Sequence, residues 1–324
     1  MDKVFVSVII PTYNRSELIG ITLDSLMNQS YPRDRYQILV VDNNSNDKTA
    51  EVVKNWEVIS EGLVLYHFEP RQGSHFARNG IVKQAKGDIL YFTDDDMIAD
   101  ENMLEKLISV FSKYPEVATA TGRVYANWGK EPPGWVLKYC NNGWLSLYDH
   151  EDVFFISDED FGVFSCHQAV RKDVFIKAGG YNPDIVNGEW LGDNETGLNI
   201  KIRSLGYKFA FVRESQTQHM IPPARMTQKY LNKRFANQGN CDSYTNFRKY
   251  RYSKKDLKLL NRENYWKYTQ KLVKFVFTRI QNNDKWHIHR AYLEYYKSRM
   301  AYNKKLMTDN KWVEMVLMND WINN

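Results

Sequence analysis

Three consecutive carboxylates, Asp94, Asp95 and Asp96, stand just behind the apolar run Ile-Leu-Tyr-Phe at 89–92. So much like charge with so little room to spread needs a counter-charge. A hard divalent cation such as Mg²⁺ or Mn²⁺ takes oxygen ligands and commonly bridges one or two carboxylates to substrate phosphates. There it also stabilises the charge that builds on a departing diphosphate. The alternative is a solvated turn capping a helix that begins near Asp100. A bare Asp-x-Asp pattern does not decide between the two.

The surrounding elements narrow the choice. Val4 to Ile10 reads as a buried strand, and Ser16 as the cap of a helix to about Asn28 whose Leu18, Ile19, Leu23 and Leu26 fall at helical spacing. Tyr36 to Val41 is a second strand, followed by a helix from about Lys48 to Trp56. Leu63 to Phe68 is a third strand, Phe76 to Ala85 a helix, and Asp88 to Phe92 a fourth strand running into the acidic triplet. Strand and helix alternate four times, which implies a mostly parallel sheet with helices on both faces and a ligand beyond the carboxyl ends of the strands. Polar residues gather at those ends: Thr12 and Asn14, Asp42 to Asn44, Arg71 to Ser74, and Asp94 to Asp96. Farther on, Asp160 to Arg171 reads as a strand leading to a helix that stops at Gly179 and Gly180. Glu195 to Leu205 is an amphipathic helix closed by Gly206, and Tyr207 to Val212 is a strand. Tyr265 to Ile280 and Trp286 to Lys305 are two long candidate helices.

At 324 residues, 43% hydrophobic and 26% charged, the chain has the composition of a folded protein rather than a disordered one. Its net charge of +5 is unevenly spread: residues 224–324 carry 22 Lys and Arg against 8 Asp and Glu, and residues 1–223 carry 22 against 31. Cys140, Cys166 and Cys241 are odd in number and far apart, which suits neither a disulfide framework nor a zinc site. The N-terminal apolar run is too short for a signal peptide or a membrane span, and no later run approaches the roughly 20 residues a span needs. The expectation is a cytoplasmic protein, at most peripheral at the inner face of the membrane.

Three ordered motifs resemble family 2 glycosyltransferases, the inverting enzymes of GT-A fold: VSVIIPTYNR at 6–15, VVDNNSND at 40–47, and GSHFARNGIVKQAKGDILYFTDDDM at 73–97. The resemblance extends to about residue 240. It implies an α/β, Rossmann-like sheet that is mostly parallel and flanked by helices, with a helical C-terminal extension. The implied division is a catalytic domain over 1–223, with a donor half at 1–100 and an acceptor half at 101–223, then the extension at 224–324. For the nucleotide sugar it implies Pro11, Thr12, Tyr13, Asn14, Asp42, Asn44, Arg78, Asp94 and Asp95. For a divalent metal, Mn²⁺ or Mg²⁺, it implies Asp96 and Asp94, with His219 completing the site beside Arg225. Asn14 and Asp42 could instead serve only their own turns, and a lone histidine is usually structural. The segments FGVFSCHQAVRKDVFIKAGGYNPD and GDNETGLNIKIRSLGYK match the acceptor side of the family. They put the catalytic base at Glu195 with Asp193 in reserve, although Asn194 stands where the family more often has an acid. An inverting transfer needs such a carboxylate to take the proton from the acceptor as it attacks.

The donor implied is a nucleotide diphosphate sugar, by family a UDP-sugar, and the acceptor a glycan, a lipid-linked molecule or a protein. Trp128, Trp135, Trp144 and Trp190 lie where an acceptor would bind, with at most two expected to touch it. The basic aromatic extension could lie on an anionic membrane, pair with a second copy or cover the catalytic domain, and no nucleic-acid module accompanies it. A non-catalytic nucleotide-sugar-binding scaffold is the competing reading. A nucleotidyltransferase would want a Gly-rich triphosphate loop after the first strand, which is absent.

Overall fold

The computed structural model describes residues 4–186 and 188–323. Its first part is β1 (Val6–Thr12), α1 (Ile19–Met27), β2 (Tyr36–Asp42), α2 (Thr49–Ile59), β3 (Val64–Phe68), α3 (Ser74–Gly80) and β4 (Ile89–Thr93). β1, β2, β3 and β4 are mutually parallel, as their crossover helices require. Alternate residues of these strands face opposite ways, and both faces are covered. Val8, Ile10, Ile38, Val40 and Tyr91 pack with α1, α2 and the helical residues 103–111, whereas Ile9, Leu39, Val41, Leu90 and Phe92 pack with α3 and, farther along the chain, with Phe175 and Leu198. Continuous apolar strands of this kind are what a doubly covered parallel sheet demands.

β5 (Met97–Ala99), α4 (Met103–Lys113), β6 (Val117–Trp128), α5 (Gly134–Tyr139), β7 (Phe154–Ser157), β8 (His167–Arg171) and α6 (Lys172–Lys177) come next. A short hairpin of β9 (Ile185–Val186) and β10 (Glu189–Trp190) leads to α7 (Asn194–Ser204) and β11 (Lys208–Ile221). The large sheet runs β3-β2-β1-β4-β8-β6-β11-β5, with β7 also on β11. It is parallel through its first four strands and mixed beyond, because β8 enters antiparallel to both β4 and β6. β11 is parallel to β6 and antiparallel to β5, where His219 stands opposite Met97.

Several local expectations shift. Ser16 does not cap α1, because its hydroxyl donates to Asp47 at 2.9 Å and the helix starts at Ile19. The helix expected over 76–85 is the shorter α3 followed by a single 3₁₀ turn. The strand expected from Asp160 begins only at His167, since the Asp160 carboxylate accepts the N–H groups of Gly162 and Val163 and folds that stretch into a turn. The C-terminal region holds α8 (Gln228–Tyr250), α9 (Lys254–Ile280), α10 (Lys285–Thr308) and α11 (Asn310–Leu317). α8 is an element the apolar pattern did not reveal. Its buried Phe235 stacks on Trp144 with ring centroids 3.9 Å apart, and its Tyr244 packs with Leu191, so the helix is seated on the part of the chain at 101–223.

Candidate active site

The parallel register carries the ends of β1, β2 and β4 to one edge of the sheet, with Thr12 opposite Asp42. A cavity of about 490 Å³ opens there. Its walls include Pro11 and Thr12 from β1 and Tyr13 just beyond it, the turn Asp94–Asp96, Asn194 and Glu195 from α7, and Arg234, Asn237 and Gln238 from α8.

The acidic turn has three differently held carboxylates. Asp94 Oδ1 accepts from Arg78 Nη2 at 2.7 Å and remains one-third exposed. Asp95 Oδ2 accepts from the Thr12 hydroxyl at 2.7 Å, and its other oxygen lies 3.5 Å from Arg15 Nε, which pins the turn to β1. Asp96 Oδ2 accepts from Arg225 Nη2 at 2.7 Å, while Oδ1 lies 3.5 Å from His219 Nε2. Asp95 and Asp96 are buried, and the next helix begins at Met103 with Asn102 at its N-cap, so the triplet is not a solvated cap. Burial and the neighbouring Asp96 charge push the Asp95 carboxyl up to about 7. Burial also acts upward on Asp96, but His219 and Arg225 outweigh it and hold that carboxyl well below the usual range.

His219 Nδ1 lies 2.8 Å from the Leu145 carbonyl oxygen, which can only accept, so Nδ1 carries a proton. Nε2 is thereby left to face Arg225 and Asp96. A backbone carbonyl that sets the tautomer of a histidine in this way is the usual support of a metal-ligating imidazole. Among the described residues no three His, Cys, Asp or Glu side chains converge tightly enough to cage an ion unaided. Mg²⁺ and Mn²⁺ sites rarely need such a cage, since substrate phosphates complete them. Six carboxyl groups and four arginines line the cavity, and Arg15, Arg78 and Arg225 are each paired with one member of the acidic turn. The residues therefore fit a divalent metal held jointly with a diphosphate.

Arg78 is buried on α3 and is oriented by a relay: its Nη1 donates to Ser74 Oγ at 2.8 Å, and Ser74 donates to Asp184 at 2.8 Å. Asp184 also meets His75 Nδ1 at 2.8 Å, and these contacts, working against burial, hold its carboxyl down to about 2. Gly73 opens this turn at φ +141°, and a Cβ there would sit 2.7 Å from the Ile185 carbonyl oxygen. Asn14, Asp42 and Asn44 do not line the cavity. The Asp42 carboxylate accepts the Ser45 N–H at 2.9 Å and the Tyr66 hydroxyl at 3.0 Å, and Asn14 Oδ1 accepts the Asn46 N–H at 2.9 Å. Asn14 and Asn44 take positive φ, a conformation asparagine tolerates best among residues with a side chain beyond Cβ. These residues build the two turns, and Asn43 fronts the cavity in their place.

On the opposite wall, Asp193 and Glu195 separate. Asp193 is buried, with its oxygens taken by Asn182 Nδ2 at 2.8 Å and the Thr245 hydroxyl at 2.6 Å, so it joins α7 to α8. Glu195 lines the cavity half-buried. Burial raises its carboxyl above the ordinary range, opposed by its own backbone N–H and by the charges of Arg78 and Arg234. Asn194 between them takes φ +46°, and its buried Oδ1 has no hydrogen-bond partner among the described residues. Of the four tryptophans only Trp190 lines this cavity, while Trp135 stacks on His287 at 4.0 Å and Trp144 on Phe235. Arg15, Asp184, Arg234, Asn237 and Gln238 join the site without having been singled out from the sequence, and Ser74 comes from one of the polar strand ends. Arg234, Asn237 and Gln238 fall at i, i+3 and i+4, a signal visible only once α8 is recognised as a wall and not a cover.

Residues 7–179, more than half of the chain, match the family model described as glycosyl transferase family 2. Glycosyltransferase AglE of Haloferax volcanii is 32% identical over 183 residues, which cover 52% of this chain and 59% of that protein. The poly(ribitol-phosphate) beta-glucosyltransferase of Bacillus spizizenii is 32% identical over 151 residues, 46% of this chain and 23% of that protein. The chain thus spans well under two thirds of these relatives. Among solved structures, mannosyltransferase PcManGT from Pyrobaculum calidifontis in complex with GDP-Man and Mn²⁺ superposes with a TM-score of 0.56 at 22% identity, over 74% of this chain and 63% of that one. GalNAc-T7 with UDP, GalNAc and Mn²⁺ gives 0.53 at 21% identity, over 67% and 43%. Both likenesses are of fold, and with the mixed sheet and acidic turn they identify it as GT-A. By its motifs, its fold and the extent of the family match, the chain belongs to glycosyl transferase family 2.

Proposed function

We propose that this protein is an inverting, metal-dependent glycosyltransferase that moves a sugar from a nucleotide diphosphate donor, a UDP-sugar first among the candidates, to a hydroxyl of a glycan, lipid-linked or protein acceptor. The observation that carries the reading is one cavity with a buried acidic turn on one wall and, on the other, Glu195, a carboxylate with no side-chain hydrogen-bond partner among the described residues. Relatives named for poly(ribitol-phosphate) glucosylation and teichuronic acid synthesis favour a role in cell-surface polysaccharide or glycoconjugate assembly. We place this work in the cytoplasm, at or near the inner face of the membrane. No described helix is long and apolar enough to cross one.

Pro11, Thr12 and Tyr13 form the nucleotide wall, with Asn14, Asp42 and Asn44 shaping the turns behind it. Arg78 and Arg225 are the cations nearest the acidic turn and suit a diphosphate, because a planar guanidinium meets phosphate oxygens bidentately. Asp96, with Asp94 and His219 beside it, would hold Mn²⁺ or Mg²⁺, which when bound stabilises the departing diphosphate. Glu195 accepts the proton of the acceptor hydroxyl as that oxygen forms its bond to the anomeric carbon. The bond from that carbon to the diphosphate breaks on the opposite face, and the configuration inverts. Asp193, with both oxygens engaged, positions the start of α7.

Thermal denaturation with UDP-, GDP- and other nucleotide sugars, with and without Mn²⁺, tests the donor site. A true donor should raise the melting temperature with concentration, and Asp96→Asn should remove the metal-dependent part. Glu195→Gln should leave that shift intact while lowering sugar transfer by about 10²–10⁴-fold. Donor binding by the wild type with no transfer to any acceptor would favour the scaffold reading, and no metal-dependent shift with any nucleotide would overturn both.

A further inference from the structure

We propose that α9 is a docking helix for an anionic lipid surface. Its inner side, including Leu257 and Asn264, is buried against neighbouring helices, and Asn303 and Met300 of α10 hydrogen-bond with its Asn261. Its outer side carries a second set of large apolar side chains, which no other described element covers. Leu259, Trp266, Val273, Phe277 and Ile280 are 47%, 66%, 69%, 61% and 78% exposed, and their spacing of seven, seven, four and three residues lines them up on one face. Tyr265, Leu272 and Val276 widen the stripe and are also exposed. A water-soluble monomer rarely leaves so continuous an apolar strip bare.

Charge selects the occupant. α9 carries eight Lys and Arg against two Asp and Glu, and all eight except the half-buried Lys271 are exposed. Lys255, Lys258 and Arg262 lie within the outer face, and Lys267 and Lys274 flank it. A second copy of the chain would set these cations against their own kind. An anionic bilayer instead takes the apolar strip into its interface, with tryptophan and tyrosine at headgroup depth, and attracts the lysines at its surface. Because α10 lies between α9 and the cavity-lining α8, contact through α9 leaves the cavity wall free. The inference stands on the helix alone and does not depend on the transfer reaction.

The test is co-sedimentation of the full chain with phosphatidylglycerol-containing vesicles and with pure phosphatidylcholine vesicles. The anionic vesicles should bind it at least about tenfold better, with the advantage shrinking as salt rises. The pair Val273→Glu and Phe277→Glu, both on the solvent side, should reduce binding by about tenfold or more while the melting temperature stays as in the wild type. Changing Trp266→Phe should abolish a vesicle-induced blue shift of fluorescence. Equal binding to both vesicle types, or binding unaffected by the glutamate pair, would overturn the proposal. So would light scattering that shows a dimer which the same pair dissociates, since a second copy would then cover the stripe.

Discussion

Glu195 and Asp193 are two residues apart in sequence and opposite in circumstance. Asp193 spends both oxygens on Asn182 and Thr245, whereas Glu195 faces the cavity with its proton affinity raised by burial. A general base must be deprotonated, so the proposed transfer should fall with slope one as pH drops through the Glu195 value, and that limb should lie above the ordinary glutamate range. A pH profile of kcat/KM measures it. A carboxyl whose folded pKa is raised loses stability when it ionises, so Glu195→Gln should melt no lower than the wild type at neutral pH. Asp184 has the opposite sign. Its carboxyl lies near 2 in the fold against an ordinary 3.8, so it contributes on the order of 2 kcal/mol above the ordinary value, lost as pH falls from about 4 toward 2. Urea melts of Asp184→Asn should therefore show a shallower acid dependence than the wild type.

At the level of elements, β11 and α8 do what no motif announced. β11 runs on for 14 residues, and this length brings His219 beside Asp96 at the far side of the acidic turn. α8 closes the cavity and is held by Phe235, which packs between Trp144 and Tyr292. Phe235→Ala should cost about 3–5 kcal/mol by denaturant unfolding, as a fully buried aromatic does. The first four strands were legible because both their faces are apolar and each ends in a polar turn. α8 was not, because its buried positions Leu231, Phe235, Gly239, Ser243 and Tyr244 alternate large with small and polar residues, which blurs the apolar period.

Across the molecule, the basic C-terminal region is bound into the fold from several directions. Beyond α11 the chain returns to the sheet-bearing part, where the Trp321 backbone N–H donates to Gly179 O at 2.9 Å and Asn79 Nδ2 of α3 donates to Trp321 O at 3.3 Å. Trp321 itself is buried. Deleting residues 318–324 should lower stability by about 3–5 kcal/mol, the cost of removing a packed tryptophan, and a thermal melt would record it. We propose that the catalytic unit accordingly extends past residue 223 to include α8. The break in charge at residue 223 therefore does not coincide with the edge of the cavity, because Arg234, Asn237 and Gln238 of the basic part line it.

What the sequence by itself determined is the local and the repetitive: the alternating strands and helices, the polar strand ends, the acidic turn and the family they resemble. These follow from short-range periodicity and from residue types that few other structures would place together. Only the tertiary structure decided which of those residues share a cavity. It turned Asp42 and Asn14 into turn builders, tied Asp193 to Thr245 some 50 residues away, and brought Arg225 onto Asp96 across 129 residues. Such pairings depend on the register of β11 and the docking of α8, which arise from packing among distant elements and leave no period in the chain.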